Sequence, residues 1–400
     1  MKNTILFLLV AGILFFQMAC TPSARKNDVA GLSSDTLELA CNTLQQYVDS
    51  GKRAGISVMV MKDGETVLAK DFGYADLENQ KPIDDKTIFR AFSMTKPVTA
   101  AALMTLFEEG KFQLDDKVSQ YIPEFATTQV YNPEAKTFEP QQTEMTVRHL
   151  LTHTSGLTYG WDRTAYVDSL YRVSGAGGWD ATLAEKVKIL ADIPLKYQPG
   201  TRWEYGLSID VAGYLAEVLS GMPLDEFFKS RIFDPLKMDD TGFYVPEEKH
   251  SRFARAYSFD KNGNLKGPEN PAADNFLKPV RLFSGGGGLV TTVEDYSRFA
   301  QMLLNGGELD GVRILSEPTV KLMMSNQLPE SVVYENGGGY GLGGSFNIEN
   351  GQYGWTGAAS TFFTIDPQNN MIILVFTQFM PYDIGYALEF SERVQRAVVE

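Results

Sequence analysis

Cysteine and histidine are scarce in this chain, with two cysteines and three histidines among 400 residues. Cys20 falls in the leader described below, which leaves Cys41 without a partner, so no disulfide framework is expected. The spacing Leu37, Cys41, Leu44, Val48 puts Cys41 on the apolar side of a helix, where a thiol acts as a small core residue. His149, His153 and His250 are too scattered for a zinc motif, and neither a metal nor any other cofactor is expected. Positive charge is also in short supply. Lys and Arg number 36 against 50 Asp and Glu, a net charge of −14, so no basic patch exists to displace counterions from nucleic acid. No Gly-x-Ser-x-Gly elbow occurs. The glycine runs Gly285–Gly288 and Gly337–Gly339 are not phosphate loops, because no Gly-Lys-Ser/Thr follows either. They read as tight loops, the first a candidate for lining an active site. Low-complexity tracts, runs of like charge and internal repeats are absent as well.

The one long apolar stretch near the N-terminus, Ile5–Phe16 after Lys2, is too short to span a bilayer and reads as a targeting segment. It ends in Gln17-Met18-Ala19-Cys20, where a small residue directly precedes a cysteine. That resembles a bacterial lipoprotein signal, with Cys20 the lipid-modified first residue of the mature chain. An ordinary secretory signal cleaved near Ala19 or Ala24 is the alternative. Residues 1–20 are thus expected to be a signal peptide and 21–33 a tether. The mature protein is expected in the bacterial envelope or periplasm, held at a membrane by a lipid anchor only.

The rest of the chain, residues 34–400, is long enough to bury a substantial core, and 44% hydrophobic with 12% aromatic residues marks a globular protein. Thr36–Asp49 has the period of an amphipathic helix. Ile56–Met61 and Thr66–Phe72 read as a hairpin around Lys62-Asp63-Gly64-Glu65. Helical patterns then dominate: Val147–His153, Ala181–Leu190, Ser208–Leu219, Leu224–Ile232 and Val293–Leu304, punctuated by Gly156, Pro199-Gly200 and Gly221. Strands return at Tyr340–Ile348, Ala358–Ile365 and Met371–Thr377, followed by a last helix through Ala387–Val398. Strands from both ends of the chain with helices between them predict an α+β fold. Its antiparallel sheet (about 34–110 and 280–400) would be flanked by N- and C-terminal helices and carry a mostly helical insertion (about 111–279).

The strongest chemical signal is Ser93-Met94-Thr95-Lys96. A hydroxyl and an amine three residues apart share one helix face. At a helix N-terminus the hydroxyl also meets exposed backbone N–H groups and the positive end of the dipole. A serine becomes a nucleophile when a neighbour takes its proton and other groups hold the oxyanion. The spacing alone is weak, since Ser23/Lys26 and Ser258/Lys261 repeat it. The first of these lies in the leader and the second beside the hairpin turn Asn262-Gly263. Only Ser93/Lys96 opens an apolar helix, Val98–Phe107, closed by Gly110. A capping serine followed by a solvated lysine would give the same local pattern. The chemistry needs a second proton-handling group and a donor from a sheet edge. Tyr205, in Trp203-Glu204-Tyr205, and the stretch Gly354-Trp355-Thr356-Gly357-Ala358-Ala359 are the candidates. With 18 tyrosines in the chain, Tyr205 taken alone is no more than a packing residue.

Taken jointly, several stretches carry a resemblance. Phe92–Lys96, His149–Leu157, Pro199–Tyr205, Pro235–Phe243, Ser284–Leu289 and Tyr353–Ala359 follow the order of motifs in the serine β-lactamase-like superfamily, closest to the family VIII carboxylesterases. The match spans about residues 50–380. The resemblance implies that Ser93 is acylated, that Lys96 and Tyr205 share its proton, and that the N–H groups of Ser93 and Ala358 form the oxyanion hole. Trp355, Gly357 and Leu207 would complete the substrate site.

Two departures bear on the substrate. Class C β-lactamases carry Tyr-x-Asn where this chain has Leu207, and begin the third motif with lysine where it has Trp355. Losing an amide and a cation favours a small-molecule ester over a penicillin or a terminal D-alanine carboxylate. A serine hydrolase acting on carboxylic esters is therefore expected. A D-amino-acid peptidase, a β-lactamase-type amide hydrolase and an acyltransferase are the alternatives within the family, and an envelope binding module that retains the fold is the alternative outside catalysis. His153 is expected to make a structural hydrogen bond.

Overall fold

The computed structural model describes residues 28–269, 274–334 and 338–399. The leader with Cys20 and most of the tether lie outside the described residues, as does Gly337. Strands β1 (Gly55–Lys62) and β2 (Glu65–Asp76) are joined at Asp63-Gly64, both with positive φ (55° and 83°). A two-residue hairpin loop of that hand matches the twist of its strands. After β3 (Lys81–Pro82), the sheet is completed by five strands from the C-terminal part. These are β4 (Gly339–Tyr340), β5 (Ser345–Phe346), β6 (Tyr353–Thr356), β7 (Phe362–Asp366) and β8 (Met371–Phe376). The order is β4-β5-β6-β7-β8-β1-β2-β3 and every adjacent pair is antiparallel. The two ends of the chain meet at β8 and β1, in the register Ile373↔Val60.

Alternation along the central strands feeds two cores. Ile56, Val58, Val60, Ile373 and Val375 face α1 (Ser34–Asp49) and the C-terminal helix, packing with Leu37, Leu44 and Phe390. Met59, Ile372, Leu374 and Phe376 point the other way, into the main core. Met371–Phe376 is buried throughout, as a strand covered on both faces must be.

That main core is centred on α2 (Thr95–Glu108), buried from Thr95 to Leu106. A helix apolar on all sides belongs inside a protein, so the sequence expectation for this segment holds. Pro97 falls in its first turn, where a missing N–H removes no helical bond. The insertion supplies α3 (Val147–Leu151), α4 (Tyr166–Ser174), α5 (Leu183–Asp192), α6 (Ser208–Ser220) and α7 (Leu224–Phe228), with α6 packed on α2. After it come α8 (Val293–Leu304), α9 (Glu317–Met323) and α10 (Gly385–Arg396). Among the described residues, no strand between Lys81–Pro82 and Gly339 joins the large sheet, and no helix is long and apolar enough to cross a membrane.

The expected single strand Tyr340–Ile348 is instead a hairpin, β4–β5. The chain turns at Gly343 (φ 78°), whose N–H bonds the carbonyl of Leu151 at 2.9 Å. A Cβ there would sit 2.7 Å from that of Ala100, so a glycine is needed where the chain crosses α2.

Asp295, in the first turn of α8, accepts bonds from Asp240 N and Thr241 Oγ1, both at 2.8 Å. Burial outweighs these bonds and pushes its carboxyl up to about 6. The folded chain then keeps a proton that the unfolded chain has lost, between the ordinary carboxylate range and about pH 6. Stability contributed by this group is present at low pH and falls as pH rises through that window. Asp295→Asn should flatten the part of the decline in urea midpoint between pH 4 and 6 that this carboxyl contributes.

Candidate active site

Ser93 lies in the 3-10 turn Phe92–Met94 that leads into α2, and Lys96 follows in the helix's first turn. Phe92 has a positive φ of 43°, a strained conformation for an aromatic residue at the mouth of a site. The turn is fastened from several sides. Ala91 N donates to Leu289 O (2.9 Å), Leu289 N to Thr95 Oγ1 (3.0 Å), and Tyr296 Oη to Met94 O (2.9 Å).

Lys96 is fully buried, and its amine has three partners: Ser93 Oγ at 3.0 Å, Tyr159 Oη at 3.1 Å and Gly286 O at 2.7 Å. Nζ donates to all three, so each direction of the amine ends on an acceptor. Tyr205 is brought to the same place but in another posture. Its ring face lies 4.6 Å from Lys96 Nζ, and its ring centroid lies 5.1 Å from that of Tyr159. Burial, then the neighbouring Tyr205 and the charge of Asp210, hold the Tyr159 phenol well above its ordinary range. Tyr159 therefore remains a neutral O–H.

Sequence reasoning missed Tyr159. No local signal sets it apart from the other tyrosines; in the fold its segment is tied down by buried polar groups. Thr158 Oγ1 donates to Asp168 Oδ1 (3.0 Å) and Glu204 Oε1 (3.2 Å), and Lys196 Nζ meets Glu204 at 2.8 Å and Asp168 at 3.1 Å. This cluster joins the strand of chain carrying Tyr159 to the one carrying Tyr205.

The other anticipated residues divide. Trp355, Gly357 and Ala358 line the cleft together with Ser93 and Tyr205. The N–H of Gly357 is already bonded to Thr361 O at 2.9 Å, so its part is clearance. A Cβ built on Gly357 would collide with Thr361 Oγ1 and with the carbonyl of Ala91, two residues before Ser93. Leu207 does not reach the cleft. At 3% exposure it packs in the main core, so its side chain lies away from any substrate. His153 is also corrected: it is fully buried, and neither ring nitrogen has a hydrogen-bond partner. It packs against Tyr205, Tyr340 and Trp203, with centroids at 5.0, 5.6 and 5.9 Å. Burial and then the charge of Lys96 hold its imidazole well below its ordinary range, as a neutral packing group.

The cleft is about 1350 Å³, with aromatic walls from Trp161, Trp203, Tyr205, Tyr334 and Trp355. Trp161 is 70% exposed and stacks on Tyr159 at 4.6 Å. Glu204, Glu349, Glu389 and Glu392 line the cleft, and no Lys, Arg or His does among the described residues. Nor do three or more His, Cys, Asp or Glu side chains group where they would hold a metal ion, among the same residues.

A serine and a buried lysine on the first turn of a central helix, faced by the C-terminal part of an antiparallel sheet, define the serine β-lactamase-like class of hydrolases. The chain belongs to the Beta-lactamase family, whose model matches residues 41–388. It is similar to an uncharacterised protein of Mycobacterium tuberculosis, 33% identical over 363 residues, covering 85% of this chain and 89% of the other. It is also similar to Esterase EstB of Burkholderia gladioli, 30% identical over 296 residues (69% of this chain, 73% of the other). Among solved structures, EstCE1, described as a hydrolase with promiscuous acyltransferase activity, aligns with TM-score 0.76 at 27% identity, covering 90% of this chain and 98% of its own.

Gly357→Ala should push β6 away from the Phe92–Met94 turn. The rate of acylation of Ser93 by an activated ester, measured by rapid-quench mass spectrometry, should fall by about 100-fold while circular dichroism stays unchanged.

Proposed function

We propose that this protein hydrolyses carboxylic esters through an acyl-enzyme on Ser93. The observation that carries the reading is the 3.0 Å contact between Ser93 Oγ and the amine of a lysine wholly removed from water. In the first half-reaction, Lys96 takes the Ser93 proton as Oγ bonds to the ester carbonyl carbon. The N–H groups of Ser93 and Ala358, at the helix start and the end of β6, receive the oxyanion. When the tetrahedral species collapses, the C–O bond breaks and the proton passes to the departing alkoxide, which leaves as the alcohol. Water then attacks the acyl carbon and gives one proton to the same relay; the bond from the acyl carbon to Ser93 Oγ breaks, Oγ takes that proton, and a carboxylic acid is released. The relay is Lys96, Tyr159 and Tyr205: Lys96 Nζ bonds Tyr159 Oη at 3.1 Å, and the Tyr205 ring packs against both.

Esters are favoured over carboxylate-bearing lactams and peptides by the charge of the cleft. No Lys, Arg or His lines it among the described residues, so a substrate carboxylate would find no anchor; three of its four glutamates are themselves paired, Glu204 with Lys196, Glu389 with Arg393 and Glu392 with Arg396. The similarity to Esterase EstB supports the same reading. A second reading, acyl transfer to an alcohol or amine acceptor, is favoured by the size of the cleft, about 1350 Å³. That exceeds the usual range for one drug-sized ligand, roughly 300–1,000 Å³.

Intact-mass spectrometry after brief exposure to p-nitrophenyl butyrate should show a transient butyryl adduct, absent in Ser93→Ala, and no adduct with penicillin. A stable penicilloyl adduct with little ester turnover would overturn the reading. Tyr159→Phe should lower kcat for the same ester about 10- to 100-fold with KM nearly unchanged. We also propose that the chain is exported and lipid-anchored at Cys20. Detergent-phase partitioning of the mature protein should then be lost in Cys20→Ala.

A further inference from the structure

The loop Ser284–Leu289 comes as close to Lys96 as the nucleophile does, and a buried acid holds it. Asp210 is 1% exposed and lies in the first turn of α6. Its Oδ1 accepts from Ser284 Oγ at 2.5 Å and from Gly286 N at 3.3 Å. Among the described residues it has no ion-pair partner. Two hydrogen-bond donors and the positive end of α6 stand in for one. The contact is close enough to require glycine, since a Cβ on Gly286 would lie 2.9 Å from Asp210 Oδ2. On its other side the loop is tied to α2. Thr99 Oγ1 donates to Gly285 O at 2.6 Å, and Lys96 Nζ donates to Gly286 O at 2.7 Å.

We propose that Asp210 is a positioning residue for Lys96, holding the Ser284–Gly286 loop so that the Gly286 carbonyl fixes one amine hydrogen and directs the rest of the amine to Ser93 and Tyr159. This rests on the proposed roles of Ser93 and Lys96. A buried amine on a flexible four-carbon stem has three rotatable donors, and here their acceptors are Gly286 O, Ser93 Oγ and Tyr159 Oη. The Gly286 carbonyl fixes one of them, and Asp210 selects the position of that carbonyl. The carboxylate also reaches Tyr159 electrostatically, which favours the neutral phenol at the other end of the same amine. Asp210 touches neither substrate nor reacting atoms in this account.

The test compares Asp210→Ala, Asp210→Asn and Ser284→Ala with the parent protein and Ser93→Ala, using p-nitrophenyl butyrate, with melting temperatures measured in parallel. A positioning role predicts that Asp210→Ala loses about 100-fold or more in kcat and in the acylation burst, with KM within about threefold. Asp210→Asn, whose amide oxygen can still accept from Ser284 and Gly286, should recover at least tenfold of that loss. Ser284→Ala should lose severalfold in kcat with its melting temperature nearly unchanged. If Asp210→Ala does not fold, the other two variants decide the question. Parental kcat in both, or in a folded Asp210→Ala, overturns the proposal. Full turnover in Ser93→Ala would instead overturn the acyl-enzyme reading itself, so the two failures are distinguishable.

Discussion

A primary amine taken wholly out of water has to find all its hydrogen-bond partners within the protein, and this requirement organises the centre of the molecule. Lys96 meets it with a hydroxyl from its own helix, a phenol from the insertion and a carbonyl from the loop before α8. Each partner comes from a different part of the chain, so the bonds cannot form unless the pieces are already docked. An unmet amine hydrogen in that environment would carry the full desolvation penalty of a polar group. Formation of the site and docking of the insertion onto the sheet are therefore the same event.

Close approach is the second constraint, and glycine answers it. Gly285, Gly286 and Gly288 each lie where a Cβ would press into α6, Asp210 or Phe243. Gly357 does the same for the strand beside the nucleophile, and Gly343 for the hairpin that crosses α2. These glycines differ from turn glycines such as Gly64, which serve a backbone angle and meet nothing within contact distance. The packed ones set the distance between backbone elements, which in turn fixes where a rigid side chain such as Tyr205 or Trp355 can stand.

How far the sequence revealed this follows from which forces act locally. The helix beginning at Ser93 was legible because an unbroken apolar stretch has one physical solution, burial at the centre. The antiparallel sheet was legible because alternation and turn residues are local too. Tyr159 was not. One tyrosine among 18 differs from the others only in what it meets, and it meets Lys96 across 63 positions of sequence. Leu207 misled for the related reason that adjacency to Tyr205 does not say which way a side chain points. His153 misled because an imidazole was expected to find a hydrogen-bond partner, whereas this one is held among rings. Asp210 did carry a visible mark, an acid in the otherwise apolar start of a helix, Ser208-Ile209-Asp210-Val211. Such a residue is either exposed or held by donors, and the sequence offers no way to choose.

The same distinction bears on the substrate. On the proposed reading, helix, serine and lysine supply a way to make and break an acyl bond, whatever the substrate. Selectivity has to come from groups that meet the substrate away from the reacting carbon. In this cleft those groups are aromatic faces and carboxylates, and the position that the resemblance assigns to a lysine carries Trp355 instead. An indole there offers area and no charge, and it packs edge-on against Tyr340 at 5.3 Å. A substrate carboxylate would give up its water without gaining a partner, whereas a neutral acyl chain gives up only unfavourable hydration. On the proposed reading the discrimination arises at the desolvation step, before any bond to Ser93 forms.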